Sequence, residues 1–147
     1  MTQLKRPESS LVVVYDHQSR VLLLQRNDDA NFWQSITGTI ELGETPLQTA
    51  YREVKEEIGV ELSPASMQIQ DCHTVNQFKI RNRWLHRYPP GVTTNTEYVF
   101  SLCIDISTPI ILTEHSRYEW LDKHSAIARA WSETNRLAID KFVPEFA

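Results

Sequence analysis

The segment from Thr45 to Gly59 constrains this chain more than any other stretch, because both ends of a helix are written into it. Thr45 is a good N-cap, Pro46 suits the first helical position, and Gln48 completes a capping box. Leu47, Ala50, Tyr51, Val54 and Ile58 recur at helical spacing and form a core-facing stripe. Gly59 follows the last apolar position, where a left-handed residue ends a helix. The spacing predicts a helix from about Pro46 to Ile58.

The same helix carries Glu53, Glu56 and Glu57, three and four residues apart, so all three project from one side. That side lies opposite much of the apolar stripe and is expected to face away from the core. On its own, such a ridge suits an ordinary solvated acidic face. Carboxylates converging within one turn repel each other, and a hard divalent cation relieves the repulsion. Mg²⁺ or Mn²⁺ prefers oxygen ligands, keeps several waters and binds substrate phosphates as well. Arg52, four residues before Glu56, is placed to orient the carboxylates.

The remaining pattern is that of one compact domain spanning residues 1–147, with strands and helices interspersed. Strands are expected at Leu11–Tyr15, Val21–Leu24, Met67–Cys72, Val75–Ile80, Tyr98–Ile104 and Ile110–Leu112. Asn27–Asn31 reads as a polar turn, Thr39–Gly43 as a loop, and Pro89-Pro90-Gly91 as another. Helices are expected to start at Asp122 or Ser125 and again at Ser132. The fold class is α/β (α+β) with a mixed sheet.

Formal net charge is −4, which argues against a general nucleic-acid binder. Leu11–Tyr15 is too short an apolar run for a signal segment or a membrane span, so no membrane partner and a cytoplasmic location are expected. Cys72 and Cys103 read as reduced, buried thiols. Basic residues are nevertheless concentrated in Phe78–Tyr88, FKIRNRWLHRY, where Lys79, Arg81, Arg83 and Arg87 alternate with Phe78, Trp84 and Tyr88. Guanidinium groups suit phosphate oxygens and aromatic faces suit a flat heterocycle. Candidate ligand contacts are therefore Phe78, Lys79, Ile80 and Arg81, with Lys5, Arg26, Thr37 and Ser132 as further candidates.

Gly38, five residues, Glu44, seven residues, and then Arg52-Glu53-Val54-Lys55-Glu56-Glu57-Ile58-Gly59-Val60 resembles a complete Nudix box. The resemblance implies a Nudix-type α/β/α sandwich around a mixed β-sheet. It also implies a divalent-metal hydrolase that attacks a phosphoanhydride with water. Glu53 and Glu57 would hold the metal with Glu56 close by, and family members use different glutamates as general base. An acid from a later loop often joins such a site, which gives Glu114 a metal or base role where it would otherwise be a solvated loop residue. The catalytic set implied is thus Arg52, Glu53, Glu56, Glu57 and Glu114, with Glu53, Glu57 and Glu114 on the metal.

Within that family the stretches DANFWQSITG (29–38), RYPPGVTTNT (87–96), Thr113-Glu114-His115, Trp120-Leu121 and Trp131-Ser132 are similar to those of pterin-triphosphate pyrophosphatases. Thr37-Gly38-Thr39 replaces the Pro-Gly-Gly run that opens many other boxes, which weakens transfer of detail from nucleotide-sanitising members. The implied reaction converts dihydroneopterin triphosphate and water to the monophosphate and pyrophosphate, with the ring on Phe78 or Trp84. A nucleoside triphosphate substrate remains the alternative, since both rings are flat and rich in hydrogen-bonding groups. A non-catalytic binding module would be expected to have lost box glutamates, and all three are present here.

Overall fold

The computed structural model describes residues 4–145. In chain order the elements are β1 Glu8–Tyr15, β2 Val21–Arg26, β3 Asp29–Gln34, β4 Ile36–Thr39, α1 Pro46–Ile58, β5 Ile69–Lys79, β6 Thr94–Cys103, β7 His115–Leu121, α2 Lys123–Arg129 and α3 Glu133–Phe142. Short 3-10 helices occupy Pro64–Ser66 and Asn82–Arg87.

The sheet is mixed. Its main path runs β3-β2-β1-β6-β5, with β4 added to β1 and β7 to β2. β1 and β6 are parallel over their whole length, from Glu8 opposite Thr96 to Tyr15 opposite Cys103. One edge of β1 is divided between two partners. Val14 and Tyr15 pair with β2, whereas Ser9 to Val12 pair with β4. β2 leaves β1 to pair with β3 and β7, and β4 fills the edge it vacates.

Both faces of the centre are covered, which is why Val12, Val13 and Val14 form an unbroken apolar run without alternation. Val12, Val14, Leu24, Phe100 and Leu102 pack with Ala50, Val54 and Ile58 of α1. Leu11, Val13, Leu23 and Val99 pack on the opposite face with Ala126, Ala138 and Ile139 of α2 and α3. Each fully buried side chain of this kind contributes roughly 1.5–3 kcal/mol. The layers are helix, sheet, helix, as expected of an α/β/α sandwich.

α1 has the anticipated bounds and both caps. Thr45 and Gln48 close a reciprocal capping box, and Gly59 ends the helix at φ 71°. Leu47 departs from the expected stripe: it is exposed, and Thr49 is buried in its stead. Thr49 Oγ1 donates to Glu44 at 2.8 Å, which turns that side toward the box rather than the core.

Other boundaries differ from the sequence reading. The turn at Asn27–Asn31 is confined to Asn27 and Asp28, since β3 already begins at Asp29. Thr39, expected to open a loop, ends β4 instead, because β1 supplies it with a ladder partner in Ser9. The two strands expected at Met67–Cys72 and Val75–Ile80 are one strand, β5. It is interrupted by a register shift between Asp71 and Thr74, where His73 has φ 51°. Ile110–Leu112 is not a strand. Its backbone is held by Ile111 N–H donating to Ile58 O at 2.8 Å, a single bond to the end of α1. β7, with its exposed Arg117 and Tyr118, was not anticipated at all. Cys72 and Cys103 are free thiols, but half-buried rather than buried. Among the described residues no helix is long and apolar enough to cross a membrane.

Candidate active site

α1 is aimed at the sheet edge where β4 replaces β2. Gly38 on β4 sits against Glu53, close enough that a Cβ would overlap the Glu53 carboxyl group. Gly38 does not have a positive φ, so glycine is required here for space and not for backbone freedom.

Arg52 organises the acidic ridge. Its Nε donates to Glu44 at 2.7 Å, Nη1 to Glu53 at 2.6 Å and to Glu56 at 3.1 Å, and Nη2 to the Thr39 carbonyl at 2.9 Å. The guanidinium holds Glu44 at a pKa of about 2. The expected orienting role of Arg52 therefore has a geometry, and it extends to Glu44.

The ridge does not face away from the core as a whole. Glu57 is 6% exposed and points into the molecule. Burial, then the charge of Glu53, pushes its pKa well up, against a backbone N–H of Thr37 that favours the carboxylate. Glu57 Oε2 is buried without a partner. Glu53 is raised to about 7, first by burial, with Arg52 opposing and Glu56 and Glu114 adding repulsion. A carboxylate with an orphaned oxygen, beside another held partly protonated by its neighbours, is a donor set that lacks positive charge.

A divalent cation fits this set in chemistry: Glu53, Glu57 and Glu114 offer hard oxygens, and a cation would relieve their mutual repulsion and offset the cost of burying their charge. Among the described residues, however, no three acidic, histidine or cysteine side chains already converge at ligating distance. Glu53 and Glu56 converge on Arg52 instead. Glu114 is exposed on the loop before β7, where the Asn27 side chain donates to its carbonyl and Thr113 Oγ1 donates to Glu56 O at 2.7 Å.

Two adjoining clefts meet at the acids. One, of about 710 Å³, is lined by Arg52, Glu53, Glu56, Glu57 and Glu114. The other, about 1040 Å³, shares Glu57 and Glu114 and runs over the α3 side of the sheet. Every anticipated ligand contact lines this larger cleft: Lys5, Arg26, Thr37, Phe78, Lys79, Ile80, Arg81 and Ser132. They do not play equal parts. Ile80 is 3% exposed and is wall rather than contact surface. Ser132 caps α3, accepting from Asn135 N–H at 3.1 Å. Arg26 is held bidentately by Asp28 at 2.7 and 2.9 Å. Lys5 keeps exposed surface at the rim; partial enclosure, then the charges of Arg87 and Arg26, lower its pKa.

Arg81 is the best placed cation. Its guanidinium lies 4.3 Å from the Trp131 ring centroid and 5.1 Å from that of Trp84, and its Nη1 is buried with no partner. Trp131 stacks on Phe32 at 4.6 Å, so the aromatic wall is preformed. Phe78 is 37% exposed beside it.

The sequence reading gave no role to Asn135, Ser35 or Glu97, and left His115 unassigned beside Glu114. Asn135 accepts from Ser35 N–H at 2.8 Å and donates to Ser35 Oγ at 2.9 Å, which fixes the start of α3 over the cleft. His115 Nε2 stands 3.2 Å from the Gln34 amide, and burial, followed by the Arg26 charge, lowers its pKa. Glu97, in TNTEYVF, is an acid inside an otherwise buried strand, and that mismatch was the available signal.

A family model for the NUDIX domain matches residues 5–146. Dihydroneopterin triphosphate diphosphatase of Escherichia coli K12 is 48% identical over 140 residues, covering 95% of this chain and 93% of the relative. The protein of that name from Haemophilus influenzae is 38% identical over 144 residues, covering 97% and 91%. A solved structure of the E. coli dihydroneopterin triphosphate pyrophosphohydrolase superposes with a TM-score of 0.90, at 48% identity, over 96% of this chain and 97% of that one. With Glu53 of its box packed beside Gly38 and residues 5–146 matched, the chain belongs to the NUDIX family.

Proposed function

We propose that this protein is a Mg²⁺-dependent pyrophosphohydrolase that converts dihydroneopterin triphosphate and water to dihydroneopterin monophosphate and diphosphate, with Mn²⁺ as a substitute metal. The observation that carries the reading is the continuity of two clefts through Glu57 and Glu114, one acidic and one aromatic and basic. Relatives of that name, 48% and 38% identical over nearly the whole chain, support the choice of substrate.

Glu53, Glu57 and Glu114 would hold the cation, which supplies charge neutralisation at the phosphates and acidifies the attacking water. The protein's own groups do the rest. Arg52 fixes Glu53 and Glu56 at one end of the acidic cleft. Arg81, Lys79, Arg26 and Lys5 bring positive charge to the triphosphate, and Thr37 offers a hydroxyl beside Gly38. Phe78 and Trp84 provide faces for the flat ring, and Trp131 keeps Arg81 in place. The free thiols of Cys72 and Cys103 suit a reducing compartment such as the cytoplasm.

Purified protein with Mg²⁺ should release diphosphate, not single phosphate, from dihydroneopterin triphosphate. Its kcat/KM for that compound should exceed those for dATP and dGTP. A higher kcat/KM for either nucleotide would replace the pterin reading with a nucleotide one.

A further inference from the structure

From the row of residues that crosses the sheet beneath α3, we infer that Glu97 is the specificity-determining residue. Its carboxylate takes the adjacent N–H and amino donors of a 2-amino-4-oxo pyrimidine edge, the edge common to pterins and guanine. The inference deepens the substrate reading above and rests on it for the pterin itself.

Register places the group. Ser9 on β1 pairs with Thr39 on one side and with Glu97 on the other, and Glu97 in turn faces Asn76. These side chains share the face covered by α3, two residues along from Leu11 and Val99 of the α3-side core. Two strand spacings separate Glu97 from Thr39, about 10 Å. Thr39 follows Thr37 and Gly38, the residues that touch Glu57 and Glu53. A triphosphate held at the acids thus has its ring end directed along the row toward Glu97. The separation is of the order of the span between a pterin's amino edge and its first phosphorus.

The surroundings of Glu97 are those of a recognition group and not of a structural ion pair. It is 4% exposed, yet it lines the larger cleft. Among the described residues no lysine, arginine or histidine forms a salt bridge with it. Among the described residues its side-chain hydrogen bond from Asn76 Nδ2 is long, at 3.5 Å. Thr134 Oγ1, beside it, has no partner of good geometry, although its hydroxyl favours the charged carboxylate. Asn95 is committed to Ser9 Oγ at 2.8 Å and cannot serve Glu97. Burial raises the Glu97 pKa, the expected result of enclosing a carboxylate with too few donors.

A buried acid in that condition is costly unless donors arrive from outside. Two parallel N–H groups, spaced as on a 2-amino-4-oxo edge, satisfy both oxygens at once. Adenine presents an acceptor in the place of one donor and would leave the carboxylate facing a lone pair. The site therefore rejects adenine while it accepts pterin and guanine.

The test compares kcat/KM for dihydroneopterin triphosphate, GTP, ITP and ATP. In Glu97→Gln the ratio of dihydroneopterin triphosphate to ATP should fall at least about 30-fold, chiefly through KM, as loss of a charge-assisted hydrogen bond requires. An unaltered ratio overturns the inference, and so does an equal loss on every substrate, the signature of a merely structural role. On the unaltered protein, ITP, which lacks the 2-amino donor, should be at least about 10-fold poorer than GTP. Equal rates on GTP and ITP overturn the inference even if Glu97→Gln does not fold. The substrate reading fails separately, if the unaltered protein leaves dihydroneopterin triphosphate intact while it still prefers GTP to ITP.

Discussion

Gly38 and Glu53 occupy one space: the strand passes so close to the helix that a Cβ on residue 38 would overlap the Glu53 carboxyl group. The first residue of the box is thereby coupled to Glu53, the acid proposed above to hold the metal, across the sheet edge. In Gly38→Ala the strand and α1 are both fixed by the core, so the Glu53 side chain must give way. Diphosphate release should fall about 100-fold, the effect of moving a reacting group by roughly an ångström. The melting temperature should fall by only a few degrees. Near-normal kcat in a well-folded variant would separate Glu53 from the chemistry.

Arg52 makes five hydrogen bonds that a lysine cannot reproduce, because the bonds to Glu44, Glu53, Glu56 and Thr39, two of them to Glu44, diverge from a planar fork. Arg52→Lys should destabilise the protein by about 1.5–3 kcal/mol, the range for charge-assisted bonds. It should also lower kcat more than it raises KM, since Arg52 positions acids and does not line the ring-binding cleft. Urea denaturation and steady-state kinetics measure the two effects, and a change confined to KM would contradict the positioning role.

The acids make a prediction about pH and metal removal. Burial, with the charges of Glu56 and Glu114, raises the Glu53 pKa to about 7 from the ordinary 4.5 of a glutamate, and Glu57 is shifted in the same direction. For a raised carboxyl the folded state binds the extra proton between those two values. Stability is then full below about 4.5 and declines as pH rises toward about 7. In EDTA the melting temperature should drop between pH 5 and pH 7.5, and Mg²⁺ should restore more of it at pH 7.5 than at pH 5. Glu57→Gln should flatten the EDTA profile. A metal-free melting curve that is level across this window would show that the acids are not strained in this way.

Arg81 carries a buried nitrogen without a partner above the aromatic wall. Removing it costs the folded protein little and the ligand a charge-assisted bond. Arg81→Met should raise KM about 10- to 100-fold, with a much smaller change in kcat. The opposite split, a normal KM with a collapsed kcat, would place Arg81 at the reacting phosphorus instead.

What could be read from the sequence was read where the determinant is local. The capping box of Thr45 and Gln48, the stop at Gly59 and the spacing of Glu53, Glu56 and Glu57 are properties of one short segment, and α1 follows them. β3 and β7 were missed because their residues look polar in isolation. Asp29, Arg117 and Glu119 are tolerated in strands because β2 supplies ladder partners on both of its edges. The reverse error at Ile110–Leu112 has the same origin, an apolar run for which the sheet has no place.

The chain's order of residues by itself determined the helix of the box, the acids along it, and a nearby supply of arginines and aromatics, since helical periodicity and charge are set by spacing alone. Only the tertiary structure decided that Glu57 is buried while Glu56 is exposed, that Gly38 presses on Glu53, and that Glu97 lies in the same cleft as Phe78 and Arg81. Those outcomes depend on which strand lies beside which. Strand order is fixed by how both apolar faces of β1 are covered at once, and no local window of sequence contains that information.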